Sequence, residues 1–185
     1  MTAYFKRQLV DYVEYHRDPR NCAMHVFGIV FLFLAAVLPL SLWRVDTVGG
    51  GITAASIMVL PVLIYWCLLD AGIGAAIVGV ALVLLSTAGT IVNYASAAGV
   101  WAISAVLILV GVGFQVVGHR VFERRQPALV DNPTHLLLGP MFVMAKLFIA
   151  LGYRHHLATI INPVPSLRGP SVSSEDRQGK QLPRP

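Results

Sequence analysis

An all-α membrane protein is the fold this sequence predicts: four transmembrane helices, an N-terminal amphipathic helix, and a fifth C-terminal helix that is interfacial or re-entrant. Three observations predict it. The 185 residues are 56% hydrophobic and only 12% charged, where a soluble domain carries about a quarter charged residues. No Lys or Arg occurs between Arg44 and Arg120, so that stretch cannot wear an ordinary wetted surface. Four apolar segments, each close to the ~20 residues that cross a ~30 Å hydrocarbon layer, fill the middle of the chain.

Residues 3–16 form the expected amphipathic helix, with Tyr4, Phe5, Leu9 and Tyr12 as an apolar stripe among Lys6, Arg7, Asp11 and Glu14. Such a face suits a bilayer surface or the ends of the spans. Asp18 is a good N-cap and Pro19 a good first helical residue, so a new helix starts there. The break has a chemical consequence. In one continuous helix His16 and His25 would point about 180° apart, whereas a bend at Asp18-Pro19 lets His16 fold back towards His25.

The spans are read at roughly 22–43, 52–69, 73–92 and 100–118. Joints rich in Gly or polar residues separate them, at Asp46 to Gly51, Asp70 to Gly74 and Asn93 to Gly99. Gly72, Gly74, Ala75, Gly79, Gly89, Gly111 and Gly113 are positions where helices could approach closely. The fifth apolar piece, 136–152, carries a central Lys146 and reads as lying in or dipping into the interface rather than crossing. Residues 1–155 make one membrane-embedded domain. Residues 156–185, rich in Pro, Ser, Gly and charge, read as a disordered tail. No cleavable signal peptide is expected, because the first twenty or so residues are polar.

Four crossings return the chain to its starting side. Lys6, Arg7, Arg17 and Arg20 precede the first span, Arg120, Arg124 and Arg125 follow the fourth, and Arg44 is the only base in the loops between. The positive-inside rule therefore makes both ends cytoplasmic. The +5 net charge reads as topology signals and lipid-headgroup contacts, which argues against a nucleic-acid partner. Cys22 and Cys67 form neither a disulfide framework nor a CxxC pair and read as small buried hydrophobes.

The chemistry concentrates at one boundary. Gln115, His119 and Glu123 follow at i, i+4 spacings and share a helix face. The even number of crossings brings His16, His25 and His135 to the same side as His119. Ionisable groups at spans are costly and tend to be functional. Three or four histidines, with Glu123 optional, fit iron(II) or zinc. Glu123 is either a ligand or the hydrogen-bond acceptor of a ligating histidine, and Asn21 and Gln115 read as orienting groups. His155 and His156 read as structural or surface residues.

Three blocks carry a resemblance. They are Tyr12-x-x-Tyr15-His16-x-x-Pro19-x-Asn21-x-x-x-His25-x-x-Gly28, then Gln115-x-x-Gly118-His119-x-x-Phe122-Glu123-x-x-x-Pro127-Ala128-Leu129, then Pro133-x-His135-x-x-x-Gly139-Pro140. In this order they resemble the 2-hydroxy fatty acid dioxygenase family of small multi-pass membrane proteins, over residues ~4 to ~155. The resemblance implies an Fe(II)-dependent α-oxidation in which a long-chain 2-hydroxy fatty acid and O2 give the acid one carbon shorter and carbon dioxide. By matching position, His16, His25, His119 and His135 would be the essential histidines holding iron, while the role of Glu123 stays open. A 2-hydroxy acid can chelate iron through carboxylate and hydroxyl while its acyl chain lies along the spans and in membrane lipid. Arg17, Arg20 or Arg120 could pair with the carboxylate or anchor headgroups.

Two other classes compete. One is a membrane haem protein with two axial histidines, marked by a Soret band. The other is a non-enzymatic membrane scaffold, which would hold no stoichiometric metal. A bacterial inner membrane and an endoplasmic reticulum both suit the chain, and the sequence leaves the oligomeric state open.

Overall fold

Each long apolar helix begins on a side-chain cap. Asp18 accepts from the Arg20 backbone N–H at 2.7 Å, Asp70 from Gly72 and Ile73 at 3.1 and 3.0 Å, and Ser96 from Gly99 at 3.2 Å. A cap of this kind contributes about 1 kcal/mol and, more usefully here, fixes where the helix starts. The structure, a computed structural model, describes residues 1–47, 50–124 and 133–161. Helix α1 is Ala3–Glu14, α2 is Pro19–Leu40, and a hairpin follows, β1 Arg44–Thr47 and β2 Gly50–Thr53. Then come α3 Ala54–Leu69, α4 Ala71–Tyr94, and α5 Ala97–Val117, which runs on into a π-helical turn, Gly118–Glu123. Helix α6 is His135–Ala150, followed by a 3₁₀ turn at His155–Leu157 and a last short helix, α7, Ala158–Ile161. The expected tail and the Pro127-Ala128-Leu129 block lie almost wholly outside the described residues.

The fold is mostly helical, and three helices are long and apolar enough to cross a membrane: Pro19–Leu40, Ala71–Tyr94 and Ala97–Glu123. The expected span at 52–69 is shorter than read. Its first residues belong to the hairpin, in which Arg44 pairs with Thr53 and Val45 with Ile52. The remaining 16 residues of α3 make a helix about 24 Å long, short of a hydrocarbon layer.

Contacts at the two ends fix the direction of travel. At one end Thr2 N–H donates to the Leu69 carbonyl at 2.9 Å, and Arg154 grips Asp70 through two bonds of 2.8 and 3.0 Å. At the other end Arg44 reaches Asn93 at 3.5 Å. The hairpin and the α4–α5 junction therefore lie together, and the α3–α4 junction lies with the N-terminus and Arg154. The first turn of α2 and the last of α5 meet at the end that holds Asp70.

Helices α2 and α5 make the most extensive pair. A Cβ on Gly28 would come within 2.7 Å of Gln115 Nε2, and one on Gly111 within 2.8 Å of Leu32. Glycine at both positions lets the backbones close to a distance that any side chain would prop open. Gly74 does the same for α4 against the Cys67 backbone, at 2.6 Å. Gly79, Gly89 and Gly113 face open space instead, so the expectation of close packing fails at those three. Leu109 on α5 is 73% exposed, and Leu68, Val83 and Val106 are also bare. An apolar exterior of this extent needs lipid or protein against it.

Helices α1 and α6 pack against each other and against the elements around Asp70. Helix α1 buries Phe5, Leu9, Tyr12 and Val13, a stripe at i, i+4, i+7 and i+8. Helix α6 buries Leu138, Met141, Phe142 and Ala145 on the same rule. Near its start the Leu137 carbonyl accepts from Trp66 Nε1 at 2.7 Å, and just past its end Arg154 meets Asp70. The start of α6 and the turn that follows it thus touch the last turn of α3 and its junction with α4. At 16 residues α6 is too short for a full crossing.

Candidate metal centre

The bend at Asp18-Pro19 turns the end of α1 back over the first turns of α2, and the π-helical turn ends α5 beside them. A π turn widens the helix by one residue and is often found at functional sites. Here it sets His119 against α2. His25 Nε2 lies 3.0 Å from His16 Nε2 and 3.0 Å from His119 Nε2. One ligand atom from each of the three lies within 4.8 Å of the others, and all three residues are buried.

The proton inventory of these rings fits a cation better than a hydrogen-bonded cluster. His16 Nδ1 lies 2.9 Å from the Tyr12 carbonyl oxygen, which can only accept, so Nδ1 carries the proton and Nε2 presents a lone pair. If His25 Nε2 were protonated, it would have to serve two acceptors at once, and His119 Nδ1–H would be buried without a partner. If it were bare, two lone pairs would face each other at 3.0 Å. A metal ion between three Nε2 lone pairs removes both conflicts. The Tyr12 carbonyl then does what carbonyls do behind metal-bound histidines, fixing tautomer and ring orientation. Burial pushes His16 down to about 3, against the pull of that carbonyl and helped by His119, His135 and Lys146. The imidazole is therefore neutral, the form that ligates.

Packing fixes the rings. The Tyr12 ring stacks on His16 with centroids 4.0 Å apart and planes within 6°, and Phe142 flanks His16 at 5.6 Å. Glu123 Oε1 accepts from the Asp18 backbone N–H at 2.8 Å and from Asn21 Nδ2 at 3.1 Å. That carboxylate ties the π-helical turn to the start of α2 and sets how His119 meets His16 and His25.

The chain can now be compared with known proteins. Residues 2–151 match the family described as 2-hydroxy-palmitic acid dioxygenase Mpo1-like. The chain belongs to the Mpo1-like family. It is 32% identical over 158 residues to the 2-hydroxy-palmitic acid dioxygenase MPO1 of Saccharomyces cerevisiae, an alignment covering 82% of this chain and 84% of the yeast protein. No solved structure matches it.

In this Mpo1-like chain the remaining expected residues fall in different places. Gln115 lies against the Gly28 backbone, one turn along α2 from His25, so Gln115, His119 and Glu123 all face α2. Asn21 is fully buried and its Oδ1 has no hydrogen-bond partner. His135 is buried too, but stands apart from the three converging nitrogens. It meets the Tyr12 ring edge-on at 5.3 Å, and Asp11 Oδ2 lies 3.2 Å from its Nε2 without making a hydrogen bond. Arg20 is exposed over the Phe122 ring, Arg120 is exposed, and Arg17 pairs with Glu14 at 3.3 Å. Two residues next to the triad escaped the sequence reading. Cys22 and Lys146 look from sequence like a buried hydrophobe and a charge that interrupts a span, and only the crossing of α6 over α2 brings them together.

Proposed function

We propose that His16, His25 and His119 hold iron(II) and that the chain catalyses the α-oxidation of long-chain 2-hydroxy fatty acids. The 2-hydroxy acid and O2 become the acid one carbon shorter, carbon dioxide and water, which balances atoms and electrons without a further reductant. The observation that carries this reading is the convergence of three buried Nε2 atoms in a chain of this family. Bound iron(II) would supply a Lewis-acidic, redox-active centre for the hydroxyl, the carboxylate and O2.

The residues of the chain do the rest. Tyr12 O holds the His16 ring through Nδ1–H, and the Tyr12 and Phe142 rings keep water from its flank. Glu123 positions His119 through its grip on Asp18 and Asn21. His135 belongs to the proposed site as the fourth essential histidine, because both its ring nitrogens are buried without hydrogen bonds and it shares the Tyr12 ring with His16. The apolar exterior of the helices accepts the acyl chain beside membrane lipid. The basic residues near the site end, Lys6, Arg7, Arg17, Arg20, Arg120 and Arg124, against Arg44 at the other, favour a cytoplasmic site.

A haem reading fares worse, because His16 and His25 rings 4.4 Å apart leave no width for a macrocycle between them. The test is metal analysis with turnover. The full chain, purified in detergent under nitrogen, is expected to carry close to one iron and to consume 2-hydroxypalmitate and O2 in equal amounts. His16→Ala, His25→Ala and His119→Ala are each expected to lose most of the iron and the turnover. A Soret band, or triad variants with full iron and full turnover, would overturn the reading.

A further inference from the structure

Apart from His135 at its start, helix α6 carries one polar side chain, Lys146, and the triad makes no use of that lysine. Lys146 is half-buried. Its Nζ donates to Cys22 Sγ at 3.0 Å and lies 5.1 Å from the centroid of the Phe142 ring. Both contacts lead to the metal centre. The Cys22 thiol meets the His16 carbonyl oxygen at 3.6 Å, and Phe142 packs on the His16 imidazole.

Among the described residues, no carboxylate stands against this ammonium. The ion pairs among the described residues join Arg17 to Glu14 and Arg154 and the N-terminus to Asp70, while Asp11 lies near His135. Lys146 is in none of them. A thiol is a weak acceptor and leaves the charge uncompensated. Taking an unpaired ammonium partly out of water, among apolar rings, is unfavourable. Lysines kept in such places usually have a working partner. The other cations near this end are poorer candidates, since Arg17 already has Glu14 and Arg20 and Arg120 point to solvent.

We propose that Lys146 binds the carboxylate of the acid substrate beside the histidine triad, and so selects free acids over neutral lipids. The proposal rests on the 2-hydroxy acid reading above and adds the group that recognises the head. It moves that task from Arg20 and Arg120 to a residue of α6. A carboxylate at Nζ forms a charge-assisted hydrogen bond in a water-poor setting. Cys22 gives up its place as acceptor, and the Phe142 ring, in contact with both Lys146 and His16, supplies an apolar neighbour.

The test compares wild type with Lys146→Gln, Lys146→Met and Lys146→Arg, all as full chains in detergent. Three quantities are read: iron per chain, KM and kcat for 2-hydroxypalmitate against its methyl ester, and equilibrium binding of palmitate, which needs no turnover. Iron content is expected to stay at the wild-type level. In the Gln and Met variants KM for the acid and the Kd for palmitate are expected to rise about tenfold or more, while the ester is handled as before. The Arg variant, which keeps the charge, is expected to recover most of the acid preference. Gln and Met variants with wild-type palmitate affinity and acid preference would overturn the proposal. If wild type binds palmitate through Lys146 but never turns over 2-hydroxypalmitate, the reaction reading fails while the carboxylate site stands. Should the Met variant not fold, Gln and Arg decide the matter.

Discussion

Glu123 makes two hydrogen bonds, and on the proposed reading it acts through them rather than as a ligand. Its Oε1 serves the Asp18 backbone N–H and the Asn21 amide, both at the start of α2, so removing it frees a helix end and a buried amide. Losing the acceptor for groups of this kind costs about 1–3 kcal/mol. Glu123→Ala is therefore expected to lower the unfolding midpoint and weaken metal binding about 10-fold to 100-fold, as removal of an outer hydrogen-bonding partner does. His119→Ala, by contrast, removes a ligand. Titrating iron into the two variants after chelation separates them: Glu123→Ala binds weakly, His119→Ala hardly at all. Equal, near-complete loss in both would make Glu123 a ligand. At this scale the sequence was informative wherever chemistry needs a rare residue in a costly place, as with His16, His25 and His119. Lys146 was not legible, because a charge in an apolar run signals only an interrupted span until the helix lying beside it is known.

At the scale of elements, the junction between α3 and α4 shows how one buried carboxylate joins several parts. Asp70 caps α4, takes both bonds from Arg154 after α6, and meets the N-terminal ammonium at 3.3 Å. Burial pushes its pKa up, but the Ile73 N–H, Arg154 and the N-terminus outweigh that and hold it below the ordinary carboxylate value. A carboxyl depressed in the folded state contributes stability at pH above its unfolded value of about 3.9, and that contribution drains away as pH falls below it. The unfolding midpoint in detergent is expected to lose this contribution only below about pH 4. Asp70→Asn should be less stable at neutral pH by about 1–3 kcal/mol and lack that acid-side decline. An unchanged neutral midpoint would mean the junction is held by packing alone. The cap at Asp18 was readable because a cap is a local pattern, and Asp70 was legible only as a joint between apolar segments. The hairpin at 44–53 and the π-helical turn were not, since strand pairing and a shifted hydrogen-bond register leave no periodicity in a short apolar chain.

For the whole molecule, parity is the property on which the site depends. His16 and His119 lie 103 positions apart and meet where the end of α1, the start of α2 and the end of α5 come together; an even number of crossings is what the sequence reading asks for. Four apolar segments with bases at both flanks pointed to that parity, but α3, at 16 residues, is shorter than a full span. Thr2, Leu69, Asp70 and Arg154 meet in one place and Arg44 and Asn93 in another. Membrane orientation then makes a sharp expectation. In sealed cells, an impermeant maleimide should label an Arg44→Cys variant at once and an Arg120→Cys variant only after lysis. Both positions are exposed, so access is limited by the membrane and not by burial, while native Cys22 is buried and Cys67 half-buried. Labelling of both variants from outside would place the two ends on one face and dissolve the parity argument. Labelling of Arg120→Cys alone would keep the bundle intact and turn the metal centre to the outer side, where the substrate would have to arrive from the opposite leaflet.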